Sequence, residues 1–216
     1  MGYHGASHGY IAERIGSKYG PAQKVISCHL GGSSSICAIL NGESIDNSFG
    51  FTPQTGVLHA NRVGDVDAYI IPFLLERGLP MEEILTGMDK KGGLEGVSGV
   101  SNDIRYLREA ADKGDERSRL AIAMFADAIV RYIGSYYAFL GGLDHLVFTA
   151  GIGENDHLLR AEVCEKIPHL GVVLDNDRNR AGEAERLISS AESPVKVHVI
   201  PANEELVVAR KTYEYH

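Results

Sequence analysis

Hydrophobic and polar positions along the chain follow two periods. Residues 24–30 (KVISCHL), 36–40 (ICAIL) and 195–200 (VKVHVI) are short runs rich in β-branched residues, the last in clean alternation, and predict strands. The stretch HLVFTAGIGEN (145–155) reads as a buried strand running into a glycine turn, with Glu154 and Asn155 opening a helix. Asn41-Gly42 is a strong type I′ hairpin signal. The first third is therefore expected to hold a three-stranded antiparallel unit, 24–30, 36–40 and 43–47, with GGSSS (31–35) at its first corner. Apolar residues three and four apart predict helices over 11–18, 66–77, 81–89, 103–113, 115–140, 156–167 and 204–213. Asn203 suits the N-cap of the last, with Glu204 and Glu205 favoured by the helix dipole. The glycine-spotted stretch 48–67 fits no regular element, and irregular loops of that length are usually functional or mobile. Residues 185–196 read as a surface loop. No repeat or low-complexity linker interrupts this mixed α/β pattern.

At 216 residues the chain can bury a substantial core as one domain. A net charge of −8 argues against a polyanion-coating surface. No run reaches the length of a membrane span, and the most hydrophobic stretch, 120–143, carries Asp127 and Arg131 inside it. The N-terminal residues match neither a signal peptide nor a myristoylation pattern. Cys28, Cys37 and Cys164 are odd in number and lie in apolar context, as expected for reduced, buried thiols of a cytoplasmic protein.

Two glycine turns follow two strands, ISCHLGGSSS and VFTAGIGEN, and either could let backbone N–H groups approach a phosphate or simply make a tight connection. Together with GYHGASHGYIAERI, IDNSFGFTP, RVGDVDAYIIPFLLERG, KKGGLEGVSGVSNDIR and VIPANEELVVAR, these stretches span nearly the whole chain. In that order they resemble the C-terminal half of the acetate and propionate kinase family, within the actin-like ATPase superfamily.

The resemblance implies an actin-like ATPase (ribonuclease H-like) domain over 23–216, preceded by an interdomain segment and first helix over 1–22. It also implies reversible phosphoryl transfer between ATP and a short carboxylate. Family matching gives His4 and Arg62 catalytic positions, the arginine supplying a fixed, always-charged fork. His29, Leu30, Gly31, Gly32 and Ser33 would wrap the β- and γ-phosphates. Asp103, Ile104 and Arg105, with Gly151, Ile152, Gly153, Glu154 and Asn155, would hold the nucleoside, Asn155 also capping the next helix. Tyr3 and Pro53 would line the acyl pocket, and Glu204 would reach a Mg2+ ion bridging the ATP phosphates. A homodimer is implied, with Tyr132, Tyr136, Tyr137 and Phe139 as candidate contacts. The family's N-terminal domain, which carries further active-site residues, has no counterpart here, so full activity is expected to require one.

Plainer readings stand beside these. His4 and His8, four apart, could be metal ligands; Arg62 could pair with Asp65 or Asp67; Asp103 could be only a helix-start residue. The chain could also be a nucleotide-binding or dimerisation module without catalysis, or a kinase for another small acid or sugar. Departures from the family pattern bear on this choice. The phosphate loop reads His-Leu-Gly-Gly-Ser-Ser-Ser where H-L-G-N-G-A-S is usual, so Ser33 would be strained if a positive φ were required there. Arg62 has altered neighbours, and Tyr3 replaces a phenylalanine.

Overall fold

The computed structural model describes residues 3–214. Helix α1 (Gly5–Tyr19) precedes strands β1 (Lys24–His29), β2 (Ser35–Leu40) and β3 (Glu43–Asn47). After a long loop come helices α2 (Ile70–Glu76), α3 (Met81–Lys90), α4 (Gly93–Ser98), α5 (Ile104–Asp112) and α6 (Glu116–Leu140). Strand β4 (His145–Thr149) leads into α7 (Ala150–Asn155), α8 (His157–Glu165), a 3-10 turn (Pro168–Leu170) and α9 (Asn176–Arg180). Strands β5 (Arg186–Leu187) and β6 (Lys196–Val199) and helix α10 (Glu204–Glu214) follow.

The six strands form one sheet in the order β3-β2-β1-β4-β6-β5. Strands β1, β4 and β6 run parallel at its centre, and β2, β3 and β5 are antiparallel to their neighbours. Alternate residues serve opposite faces. Ile26, Leu146 and Phe148 pack with Phe125 and Ile129 of α6 on one side, while Val25, Val147 and Ile39 pack with Ile11 and Ile15 of α1 on the other. The predicted hairpin turn is present, with φ of 54° at Asn41 and 86° at Gly42.

Several boundaries differ from expectation for local reasons. Helix α1 starts earlier because its buried stripe continues through the polar residues Ser7 and His8. Helix α2 starts later: Pro72 occupies its first turn, where a missing N–H costs nothing. Helix α7 begins at Ala150 with no intervening turn, and Asp156, not Asn155, caps α8 by accepting from Leu159 N at 2.9 Å. The stretch expected to be a surface loop contains β5 and the fully buried Ile188. Short pieces such as α4 and the wholly polar α9 show too few turns for periodicity to reveal them.

No helix among the described residues is long and apolar enough to cross a membrane. Cys28, Cys37 and Cys164 are free and buried.

Candidate active site

Because β1, β4 and β6 are parallel, their carboxyl ends share one edge of the sheet, where open α/β sheets bind ligands. Three loops meet there. Leu30, just past β1, donates its N–H to Thr149 O at 3.0 Å and accepts from the N–H groups of Ile152 (2.8 Å) and Gly153 (3.1 Å). The β1 loop and α7 are thus stapled together. Glu154 Oε1 accepts from Ala202 N at 2.9 Å, tying in the segment after β6. Ala150 carries the turn with a left-handed φ of 66°, an unusual conformation for a residue with a Cβ.

These loops wall a cleft of about 830 Å³. Gly31, Gly32, Gly151, Ile152 and Asn155 line one side, and Asp103, Ile104 and Arg105 the other. Gly151 has open space where a Cβ would point, so its backbone is accessible from the cleft. Gly153 is different: a Cβ there would touch Phe148, Cys28 and Leu30 at 3.4–3.7 Å, so this glycine serves packing against the strand ends. Leu30 is likewise fully buried. Asp103 caps α5, accepting from Arg105 N at 2.9 Å, and binds the exposed Arg105 guanidinium, which holds its carboxyl below the usual range. Asn155 donates to Gly151 O at 2.8 Å, inside α7.

Beside the cleft lies a cluster of imidazoles. His4 and His29 stack with centroids 3.9 Å apart, and His8 and His59 lie close by. Burial lowers the pKa of all four, to about 3 for His8 and His29 and about 4 for His59, so the rings are neutral near pH 7. The Arg62 charge adds to the effect at His4 and His59. Serine hydroxyls hold the rings: Ser35 Oγ meets His4 Nδ1 at 2.9 Å and His8 Nε2 at 2.8 Å, and Ser7 Oγ meets His29 Nδ1 at 2.8 Å.

Arg62 approaches from the loop between β3 and α2. Its Nη2 donates to Ser33 Oγ at 2.5 Å, and Ala60 N donates to Gly32 O at 3.1 Å. Helix α4, absent from the sequence reading, supports this loop. Leu94 N and Glu95 N donate to His59 O and Ala60 O at 2.8 and 3.1 Å. Gly93, with φ 64°, packs so tightly that a Cβ would lie 2.2 Å from His59 O. The expected alternative partner of Arg62, Asp65, is engaged elsewhere, accepting from Gly56 N at 2.8 Å and Tyr132 Oη at 2.6 Å. Arg62 forms no ion pair among the described residues. Ser33 has an ordinary negative φ, so the serine for glycine exchange in this loop brings no backbone strain.

Tyr3 is half exposed and meets Phe49 edge-on at 5.8 Å. Phe49 also abuts His4 and His59, and is a site neighbour that the sequence reading passed over. Pro53 is half-buried in the 48–67 loop. Glu204 is exposed in the first turn of α10, with Asn203 Oδ1 capping that helix by accepting from Leu206 N at 3.3 Å. No group of three or more His, Cys, Asp or Glu residues able to hold a metal occurs among the described residues, so His4 and His8 do not form one. The exposed carboxylates of Glu204 and Glu205 are too few to cage a resident metal, and would suit a hard cation only with oxygen ligands supplied from elsewhere.

A second residue with no sequence signal to mark it is Arg160, only 1% exposed. It donates to Gly153 O (2.7 Å) and Glu154 O (2.9 Å) at the end of α7, and to Asn179 Oδ1 and O of α9, both at 2.7 Å. The floor of the cleft is therefore braced from beneath by a buried guanidinium.

The sequence profile of the Acetokinase family matches residues 1–210. The chain belongs to the acetokinase family. Its sequence is 48% identical over 218 residues to an acetate kinase of Dictyoglomus turgidum, covering 98% of this chain and 53% of that protein. The fold matches the crystal structure of Porphyromonas gingivalis acetate kinase with a TM-score of 0.93 and 41% identity, covering 99% of this chain and 55% of that one. A propionate kinase from Francisella tularensis matches with a TM-score of 0.91 and 36% identity over 97% of this chain and 54% of the other. The domain accordingly has the actin-like ATPase fold of these kinases, and the chain spans about half the length of the curated acetokinase relatives it matches.

Proposed function

We propose that this chain forms the nucleotide-holding half of a kinase that transfers the γ-phosphoryl group of ATP to acetate or propionate, reversibly. The observation that carries the reading is the convergence of Arg62, the stacked His4–His29 pair and the Ser33 loop, whose chain neighbours Gly31, Gly32, Ala60 and Asn61 line an 830 Å³ cleft, in a chain whose family is settled. Phosphoryl transfer asks the protein mainly for positioning and charge stabilisation. Arg62 supplies a fixed positive fork for the carboxylate and the moving phosphoryl group. His4 and His29, neutral at pH 7, donate hydrogen bonds to phosphoryl oxygens without competing for a proton. The N–H groups of Gly32 and Ser33 would meet the phosphates, and Gly151 with Asp103–Arg105 would flank the nucleoside. Tyr3, Phe49 and Pro53 border the acyl end. Glu204 would reach a Mg2+ ion carried in on ATP, whose charge would offset that of the phosphates.

In this reading residues 1–22 join the domain to the other half of a two-domain enzyme, which works as a homodimer in the cytoplasm. Tyr136 is buried in the core, Tyr132 is engaged by Asp65 and Tyr137 is partly buried against the core, so of the four aromatic candidates for the dimer contact the 69%-exposed Phe139 offers the most free surface. The test is hydroxamate trapping of acyl phosphate by this chain joined to the N-terminal domain of an acetokinase, with acetate, propionate and butyrate offered. Turnover of acetate or propionate supports the reading. A folded two-domain protein that binds ATP but turns over none of the three acids contradicts it.

A further inference from the structure

The buried serines around the histidine cluster raise a question of proton placement. Ser27, Ser35 and Ser7 are all completely buried. Ser27 Oγ lies 2.9 Å from His8 Nδ1, His8 Nε2 lies 2.8 Å from Ser35 Oγ, and Ser35 Oγ lies 2.9 Å from His4 Nδ1. The four side chains form one continuous line from the buried Ser27 to the part-exposed His4. Each neutral imidazole carries one N–H and each hydroxyl one O–H, so the line has a direction.

Running outward, Ser27 donates to His8 Nδ1, His8 Nε2–H donates to Ser35, and Ser35 donates to His4 Nδ1. Every hydrogen then has an acceptor. Running inward, Ser27 would only accept, and its own O–H would point into a dry interior where no other described residue bonds to it. If both rings donated to Ser35, its O–H would be stranded in the same way. A buried donor without a partner is far costlier than an unused oxygen lone pair, so the outward direction wins. The same reasoning applies to Ser7, whose hydroxyl has His29 Nδ1 as its sole partner among the described residues.

We infer that the buried serines Ser27, Ser35 and Ser7, with His8 as a relay, are positioning residues that lock His4 and His29 as Nε2–H tautomers. The other ring nitrogen decides which one faces the ligand as a donor, and here both Nδ1 atoms are committed to hydroxyl donors. The two stacked rings consequently present a pair of neutral N–H donors of fixed orientation, suited to a phosphoryl group bearing negative charge on its oxygens. His8 touches no reactant; it acts through Ser35. The inference deepens the kinase reading and rests on it for its purpose, though the tautomers follow from the buried network alone.

Nitrogen-15 NMR of the imidazoles reads the tautomers directly in this chain at neutral pH. Protonated Nε2 and unprotonated Nδ1 at both His4 and His29 are expected. An Nδ1–H tautomer at His4 would overturn the proposal without any variant being made. Ser35→Ala should let His4 sample the other tautomer while His29 stays fixed, and Ser7→Ala should do the reverse; unchanged rings in both variants would also overturn it. In the two-domain enzyme, Ser35→Ala should lower kcat by roughly tenfold with little change in KM for ATP. Locked Nε2–H tautomers without turnover in the parent enzyme would leave the network standing and remove the kinase reading. Turnover with an Nδ1–H His4 would do the opposite.

Discussion

Arg62 donates to the hydroxyl of Ser33 at 2.5 Å, joining the loop between β3 and α2 to the loop that follows β1. Where the family pattern has a glycine, this chain has an oxygen that receives the guanidinium. With φ negative at Ser33, the exchange adds a contact at no backbone cost. Ser33→Ala should therefore destabilise the chain by about 1 kcal/mol, the net worth of a part-exposed hydrogen bond to a charged group. Ser33→Gly should cost slightly more through added chain entropy. Urea unfolding would measure both, and a variant as stable as the parent would show the contact to be incidental.

The two glycines of AGIGEN should respond differently to the same substitution. Gly151→Val projects into the open cleft and is expected to weaken MgATP binding at least tenfold in calorimetry while leaving the fold intact. Gly153 has room for about one methyl group against Phe148, Cys28 and Leu30, so Gly153→Val overpacks the strand ends and should cost roughly 1–3 kcal/mol of stability. Equal losses of binding in two equally stable variants would contradict this division.

Arg160 holds three backbone carbonyls and the Asn179 side chain from inside the protein. Arg160→Met removes the charge and its donors to Gly153 O, Glu154 O and Asn179 Oδ1, while Asn179 O keeps the Arg186 guanidinium at 3.3 Å; each acceptor left unpaired and fully desolvated costs about 1–3 kcal/mol. A loss above about 3 kcal/mol is expected, with hydrogen exchange accelerating first in α7 and α9. A near-neutral effect in thermal unfolding would mean that water replaces the guanidinium.

Acid should unfold the protein early. His8, His29 and His59 have folded-state pKa values pushed down by burial to about 3, 3 and 4, and the His145–His198 pair on the other part of the sheet is also shifted down. A depressed histidine pKa means that the unfolded chain takes up protons near pH 6.5 while the folded chain does not. Stability is thus full above about pH 7 and falls as the pH drops from about 6.5 towards 4. Denaturant midpoints across this range should decline steadily, and a flat profile down to pH 4 would contradict the buried, neutral state of the cluster.

The sequence showed most of the frame because its signals were local. The strand runs, the Asn41-Gly42 turn and the long α6 stripe each carry their own periodicity or turn chemistry. The cleft residues were found through resemblance, and the fold brings Gly31, Gly32, Asp103 and Gly151 around one cavity. What the pattern hid depends on distant partners. Gly153 is indistinguishable from Gly151 until Phe148 and Cys28 are seen behind it. Arg160 looks like any charged residue of an amphipathic helix, and its burial follows from acceptors supplied by α7 and α9. Ser7 and His8 lengthen the buried face of α1 with polar atoms, which hydrophobic periodicity cannot register.

The central claim, that Arg62 works on the transferring phosphoryl group, is tested most directly by comparing Arg62→Ala, Arg62→Lys and the parent in the two-domain assembly. The measurement is the rate of hydroxamate-trapped acetyl phosphate at saturating MgATP. Arg62→Ala should lower kcat by roughly 10²–10⁴-fold, the scale for losing a charged donor aimed at transition-state charge. Arg62→Lys should recover only part, since a point charge cannot reproduce the two-pronged fork. Undiminished turnover in folded Arg62→Ala would contradict the mechanism.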